Sequence, residues 1–104
     1  MSRARHNKMW VVYSHDVCTD ESSCDYYFTV RSKAVIMAKR LLLKLLKDYR
    51  ESFSSDQMQQ RLTQFEERAT KADPEKNFIY DIYDDGTEET TVHIEPMTFS
   101  DHLV

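Results

Sequence analysis

Ser32-Lys-Ala-Val-Ile-Met-Ala-Lys-Arg-Leu-Leu-Leu-Lys-Leu-Leu-Lys-Asp-Tyr-Arg-Glu-Ser-Phe53 is the stretch that decides the fold. At 100° per residue, Ala34, Val35, Ala38, Leu41, Leu42, Leu45, Leu46, Tyr49 and Phe53 fall within one broad arc. The segment contains no glycine or proline and is rich in leucine, a strong helix former. The spacing predicts a helix over residues 33–52 with Ser32 as its N-cap. Its apolar arc is the expected core face, with Leu42 and Leu45 near the centre.

Downstream, Ser54 followed by Gln57 has the pattern of a capping box, in which each side chain satisfies the other residue's free amide. Met58, Leu62, Phe65, Ala69 and Ala72 then step by alternating fours and threes. That narrow stripe predicts a second, surface helix ending at Asp73-Pro74. The short serine-containing link makes the two helices an antiparallel hairpin.

Upstream, residues 8–15 are rich in β-formers and read as a strand. Residues 16–25 read as an acidic, serine-rich loop. Residues 26–31 alternate, with Tyr26, Phe28 and Val30 against Tyr27, Thr29 and Arg31, and read as a half-buried strand. The first two strands thus form a hairpin with a long connection. At the other end, residues 77–83 and 87–95 flank Asp84-Asp85-Gly86, a hairpin signal. A three-residue loop, 84–86, sets Phe78 opposite Val92 and Tyr80 opposite Thr90, and puts Phe78, Tyr80, Ile82, Val92 and Ile94 on one face. A one-residue slip exposes half of that set. Gly86 is then expected in the left-handed conformation, as a bulge.

The order strand, strand, helix, helix, strand, strand predicts an α+β fold, ββααββ. Its expected form is an antiparallel four-stranded sheet with both helices packed on one face. The 104 residues suit one domain, with 1–7 as a loose basic arm and 97–104 as an unassigned tail. A single glycine excludes glycine-rich phosphate loops and dinucleotide fingerprints. Cys18 and Cys24 are too few for a disulfide scaffold and are expected as free thiols. The apolar run Met9–Tyr13 is short for a signal core, and no segment reaches about 18 uninterrupted apolar residues. The expected location is the cytoplasm, with no membrane association.

No catalytic set, metal site or cofactor is expected. His15, Cys18 and Cys24 lack the paired spacing of a zinc site. The acidic loop lacks the glycine of a calcium loop, and no G-x-S-x-G elbow is present. Charge is the more informative feature. Residues 1–50 carry +5 and residues 51–104 carry −9, for a total of −4. Lys33, Arg40, Lys44 and Lys47 align within about 60° on the first helix, opposite its core face. Ile36 and Leu43, seven residues apart and beside Lys39, lie outside the core arc. Either the second helix covers them, or they form an apolar strip among cations, as interfaces do. The first strand, with Trp10, is apolar on both faces and asks for a second cover.

The expected function is therefore that of a small non-enzymatic binding or regulatory protein, of phage, plasmid or accessory type, acting by protein–protein contact. Its expected binding residues are Ile36, Leu43, Lys39, Arg40, Lys44, Lys47 and Trp10. The partner is another protein or a second copy of the chain. The competing reading is a nucleic-acid-binding protein that uses the basic stripe and the N-terminal arm.

Overall fold

The structure, a computed structural model, describes residues 6–16, 19–48, 53–83 and 90–100, with the backbone alone for 6, 7, 99 and 100. The chain runs β1 (His6–Asp16), β2 (Glu21–Ser22), β3 (Tyr26–Phe28), α1 (Arg31–Asp48), α2 (Ser55–Lys71), β4 (Phe78–Asp81) and β5 (Thr90–Ser100). Two helices pack against an antiparallel sheet, the α+β arrangement that the periodicities predict. The sheet has five strands rather than four. Its path is β2-β1-β5-β4, and β3 shares with β2 the edge of β1 that β5 leaves free.

The additional strand lies inside the segment expected to be a loop. Asp20 takes φ 57, a left-handed conformation that a short polar side chain tolerates, so the chain turns back without a glycine. β2 then pairs His15 with Ser22 and Asp16 with Glu21. The Ser14 amide donates to Ser23 Oγ at 2.8 Å, and the Ser23 amide donates to Ser14 O at 2.9 Å.

α1 starts earlier than its cap signal suggested. The Lys33 and Ala34 amides both donate to Val30 O, so Ser32 lies in the first turn rather than at the cap. The expected second strand correspondingly ends at Phe28 rather than at residue 31. Ala34, Ala38, Leu42 and Leu46, a strict every-fourth row, are fully buried. Leu41 and Leu45 are only partly buried, so the core face is narrower than the apolar arc and is not centred on Leu45. The helix is described to Asp48, and the expected continuation through 49–52 lies outside the described residues.

α2 has the predicted capping box. The Gln57 amide donates to Ser54 Oγ at 3.2 Å, and the Ser54 amide donates to Gln57 Oε1 at 2.8 Å. Leu62, Phe65 and Ala69 face the core. Arg31 Nη1 donates to Ala69 O at 2.9 Å, while Leu43 and Leu62 share a groove, so the helices run antiparallel.

Between the helices and the inner sheet face sit Val12, Tyr80, Ile82, Val92 and Ile94. Phe65 meets Phe78 and Tyr80 edge-on, with ring centroids at 5.5 and 5.4 Å. The face assignment of the last hairpin therefore holds, but its register does not. Phe78 pairs with Ile94 and Tyr80 with Val92, two residues beyond the alignment that a three-residue loop imposes. A shift of two keeps every side chain on its face, so apolar alternation could not detect it. Gly86 and the expected bulge lie outside the described residues.

Both expected chain-end segments contribute to the sheet. β1 begins at His6, inside the expected loose arm, and β5 continues to Ser100, inside the expected tail. Pro96 does not end the strand. Past Ile94 no β4 residue pairs with β5, and an edge accommodates a residue without an N–H.

Candidate functional site

The seven binding residues expected from sequence separate into two groups. Ile36, Lys39, Arg40 and Leu43 of α1 line one groove, of about 330 Å³, with Leu62 and Glu66 of α2 as the opposite wall. Lys44 and Lys47 continue it toward the C-terminal end of α1 in a depression that shares Arg40 and Leu43. A third depression, with Phe28, Lys33 and Met37, extends it the other way through Ile36 and Arg40. α2 covers part of this strip and leaves the rest open. Leu43 packs against the core, whereas Ile36 is 54% exposed.

The charges follow the helical period. Lys39 is tied to Glu66 across the groove. Lys33, Arg40, Lys44 and Lys47 are exposed, and none forms an ion pair among the described residues. The result is an apolar trough with a row of cations along its solvent side.

Trp10 belongs elsewhere. It lies on the helix-facing side of β1, opposite Phe28 and Pro96, and packs against the core. Its indole Nε1 donates to Pro74 O at 3.2 Å, and Lys8 pairs with Glu75 beside it. The turn after α2 is thus the cover that Trp10 needed, and the strip on α1 does not include it.

The opposite sheet face holds a cluster that sequence reasoning did not find. Tyr13 and His93, paired across β1 and β5, stack with centroids 4.5 Å apart and planes 5° from parallel. Tyr13 Oη donates to Glu95 Oε2 at 3.1 Å. Thr91 Oγ1 lies 2.7 Å from His93 Nε2, and His15 Nε2 lies 2.9 Å from Asp20 Oδ1. Asp81 Oδ1 is buried without a hydrogen-bond partner. Burial chiefly, then the Glu95 hydrogen bond, raises the Tyr13 pKa above its ordinary value. Nearby Asp25 chiefly does the same for Tyr27. The only sequence signal was alternation along β1 and β5, which places these groups on one face but cannot say which strands meet.

A hydroxyl beside an imidazole is a proton-exchange pair, yet Thr91 is only 5% exposed, so its hydroxyl is closed to a substrate. Among the described residues no group of three or more His, Cys, Asp or Glu could hold a metal ion. Cys24 is a free, exposed thiol, and Cys18 lies outside the described residues.

His93 makes stability depend on pH. Burial, and next the His15 charge, lower its pKa below the ordinary 6.5, against the opposing pull of Glu95 and Asp81. The unfolded chain therefore takes up a proton first as pH falls. Stability is full above about pH 6.5 and declines from there down to the lower folded-state value. The urea midpoint should fall between pH 7.5 and 5.5, and His93→Gln should flatten that decline. An equal decline in His93→Gln would assign the dependence to other groups.

The chain matches no family model, and comparison with curated proteins and solved structures found no match. Among the described residues no helix is long and apolar enough to cross a membrane.

Proposed function

We propose that this chain is a small non-enzymatic binding protein that works in the cytoplasm through protein–protein contact. It presents the outer face of α1 to an acidic, partly apolar protein surface. One observation carries the reading: Ile36, 54% exposed, lies in a trough with Leu43, bordered by four exposed cations that have no ion pair among the described residues. A fully buried aliphatic side chain contributes roughly 1.5–3 kcal/mol, so covering the exposed half of Ile36 is favourable. The cations select the partner's charge and orient it. The scarcity of cysteine supports the cytoplasmic location.

Nucleic acid fits this surface less well. A phosphate backbone answers the cations but leaves Ile36 in water, and the total charge of −4 opposes a polyanion at long range.

Amide chemical shifts can test the reading with two probes, an acidic amphipathic peptide carrying Glu and Leu at helical spacing and a short DNA duplex. The peptide should perturb the outer face of α1, and Ile36→Asp with Arg40→Glu, both at exposed positions, should weaken it at least about tenfold with the circular dichroism unchanged. No peptide binding, or binding that the double variant leaves intact, overturns the proposal. Tighter binding of the duplex, with a steep salt dependence, replaces it with the nucleic-acid reading.

A further inference from the structure

The two broad faces of the molecule carry opposite charge, and each has exposed apolar side chains. On the helix side, the outer face of α1 presents Lys33, Arg40, Lys44 and Lys47 around Ile36 and Leu43. The sheet face away from the helices presents exposed Ile79, Tyr27 and Met97. Asp81 and Glu95 share that face, and Asp25 lies at its margin, accepting from Tyr27 Oη at 3.3 Å. None of the described strand residues pointing to that side is a lysine or arginine.

We infer that the partner of the α1 face is the helix-free sheet face of a second copy of this chain, and that the copies associate head to tail. This rests on the α1 reading above and names its partner. Charge decides among the pairings. Apposing two α1 faces brings four cations against four cations. Apposing two sheet faces brings Asp81, Glu95 and Asp25 against their own equivalents. Only the unlike pairing matches lysine and arginine with carboxylate while covering Ile36, Ile79 and Tyr27 together.

The shapes agree with the charges. A sheet with helices on one side only supplies two layers of a three-layer arrangement, and a helix laid on its other face completes it. The 18 residues of α1 span about 27 Å, and the paired length of β1 and β5 is about 37 Å, so the helix lies within the sheet. An unlike contact uses a different surface on each copy and so leaves one of each kind free. Assembly then continues past a dimer, into a ring where the rotation between copies closes and into a filament where it does not.

Sedimentation of the full chain over a range of concentrations, at low and high salt, tests this. The wild type should exceed the dimer mass at low salt and dissociate as salt rises. Two variants at exposed positions separate the faces: Ile36→Gln with Arg40→Gln, and Asp25→Lys with Ile79→Lys. Each alone should be monomeric with an unchanged circular dichroism spectrum. Mixed, they should form a one-to-one dimer and stop there, because each supplies the face that the other lacks. A wild type that is monomeric throughout overturns the inference, and so does one that stops at a dimer. Failure of the mixture to pair overturns it as well. If the acidic peptide still binds α1 in any of these cases, the α1 reading stands and only the self-association fails. If the peptide also fails to bind, both fall.

Discussion

Phe65→Ala is expected to cost about 3–5 kcal/mol, the range for removing a fully buried aromatic side chain. Phe65 is fully buried on α2, and its ring stands edge-on to both Phe78 and Tyr80. It forms an apolar bridge between the second helix and β4. Such edge-to-face pairs add about 0.5–1.5 kcal/mol beyond area burial, and alanine loses both of them together with the filled volume. A small domain has about 5–15 kcal/mol in all, so the variant should lose a large share of its stability. Urea denaturation followed by circular dichroism gives the midpoint. Phe65→Leu, which keeps most of the volume, should recover a large part of the loss. A midpoint unchanged in Phe65→Ala would mean that α2 does not lie on the sheet.

Leu42→Ala should cost about 2–5 kcal/mol, and Leu45→Ala about half as much. The apolar arc alone treats these two leucines as equals. In the folded molecule Leu42 belongs to the row Ala34, Ala38, Leu42 and Leu46, all inaccessible to solvent. Leu45 packs against that core from its margin and is partly open. The two alanines in the row bring α1 close to the sheet, so a cavity at Leu42 has rigid walls and relaxes little. At Leu45 water or a neighbour can fill the space. The ratio of the two losses, measured in the same urea titration, is the test. Equal losses would place the centre of the core between the two leucines.

The candidate surface was legible to the extent that it is local. Ile36 and Leu43 stand seven residues apart on one helix, and the cations beside them repeat with the same period. Helical geometry alone therefore brings them together. Leu62 and Glu66, the opposite wall, come from the other helix and could be placed only once the helices were packed. Trp10 stands apart from the α1 groove for a related reason. An apolar residue on a strand demands a cover, but the sequence does not say that the turn at Pro74, 64 residues away, provides it. The stack of Tyr13 on His93 and the hydrogen bond from Tyr13 to Glu95, 82 residues on, were out of reach on the same ground.

The sequence by itself determined the order of the main elements, the capping box at Ser54 and Gln57, and the common face of Tyr80, Ile82, Val92 and Ile94. Each follows from periods or spacings within a few residues, which depend on bond geometry and near neighbours. Tertiary structure alone decided the two-residue phase of β4 on β5, the extra strand at Glu21–Ser22 and the reach of β5 past Pro96 to Ser100. It also decided which leucines of α1 are fully enclosed. A period states which side chains share a face but is unchanged by a slide of two along a strand. What stops the slide is the summed fit of apolar surfaces contributed by distant segments, a quantity that no single stretch of the chain contains.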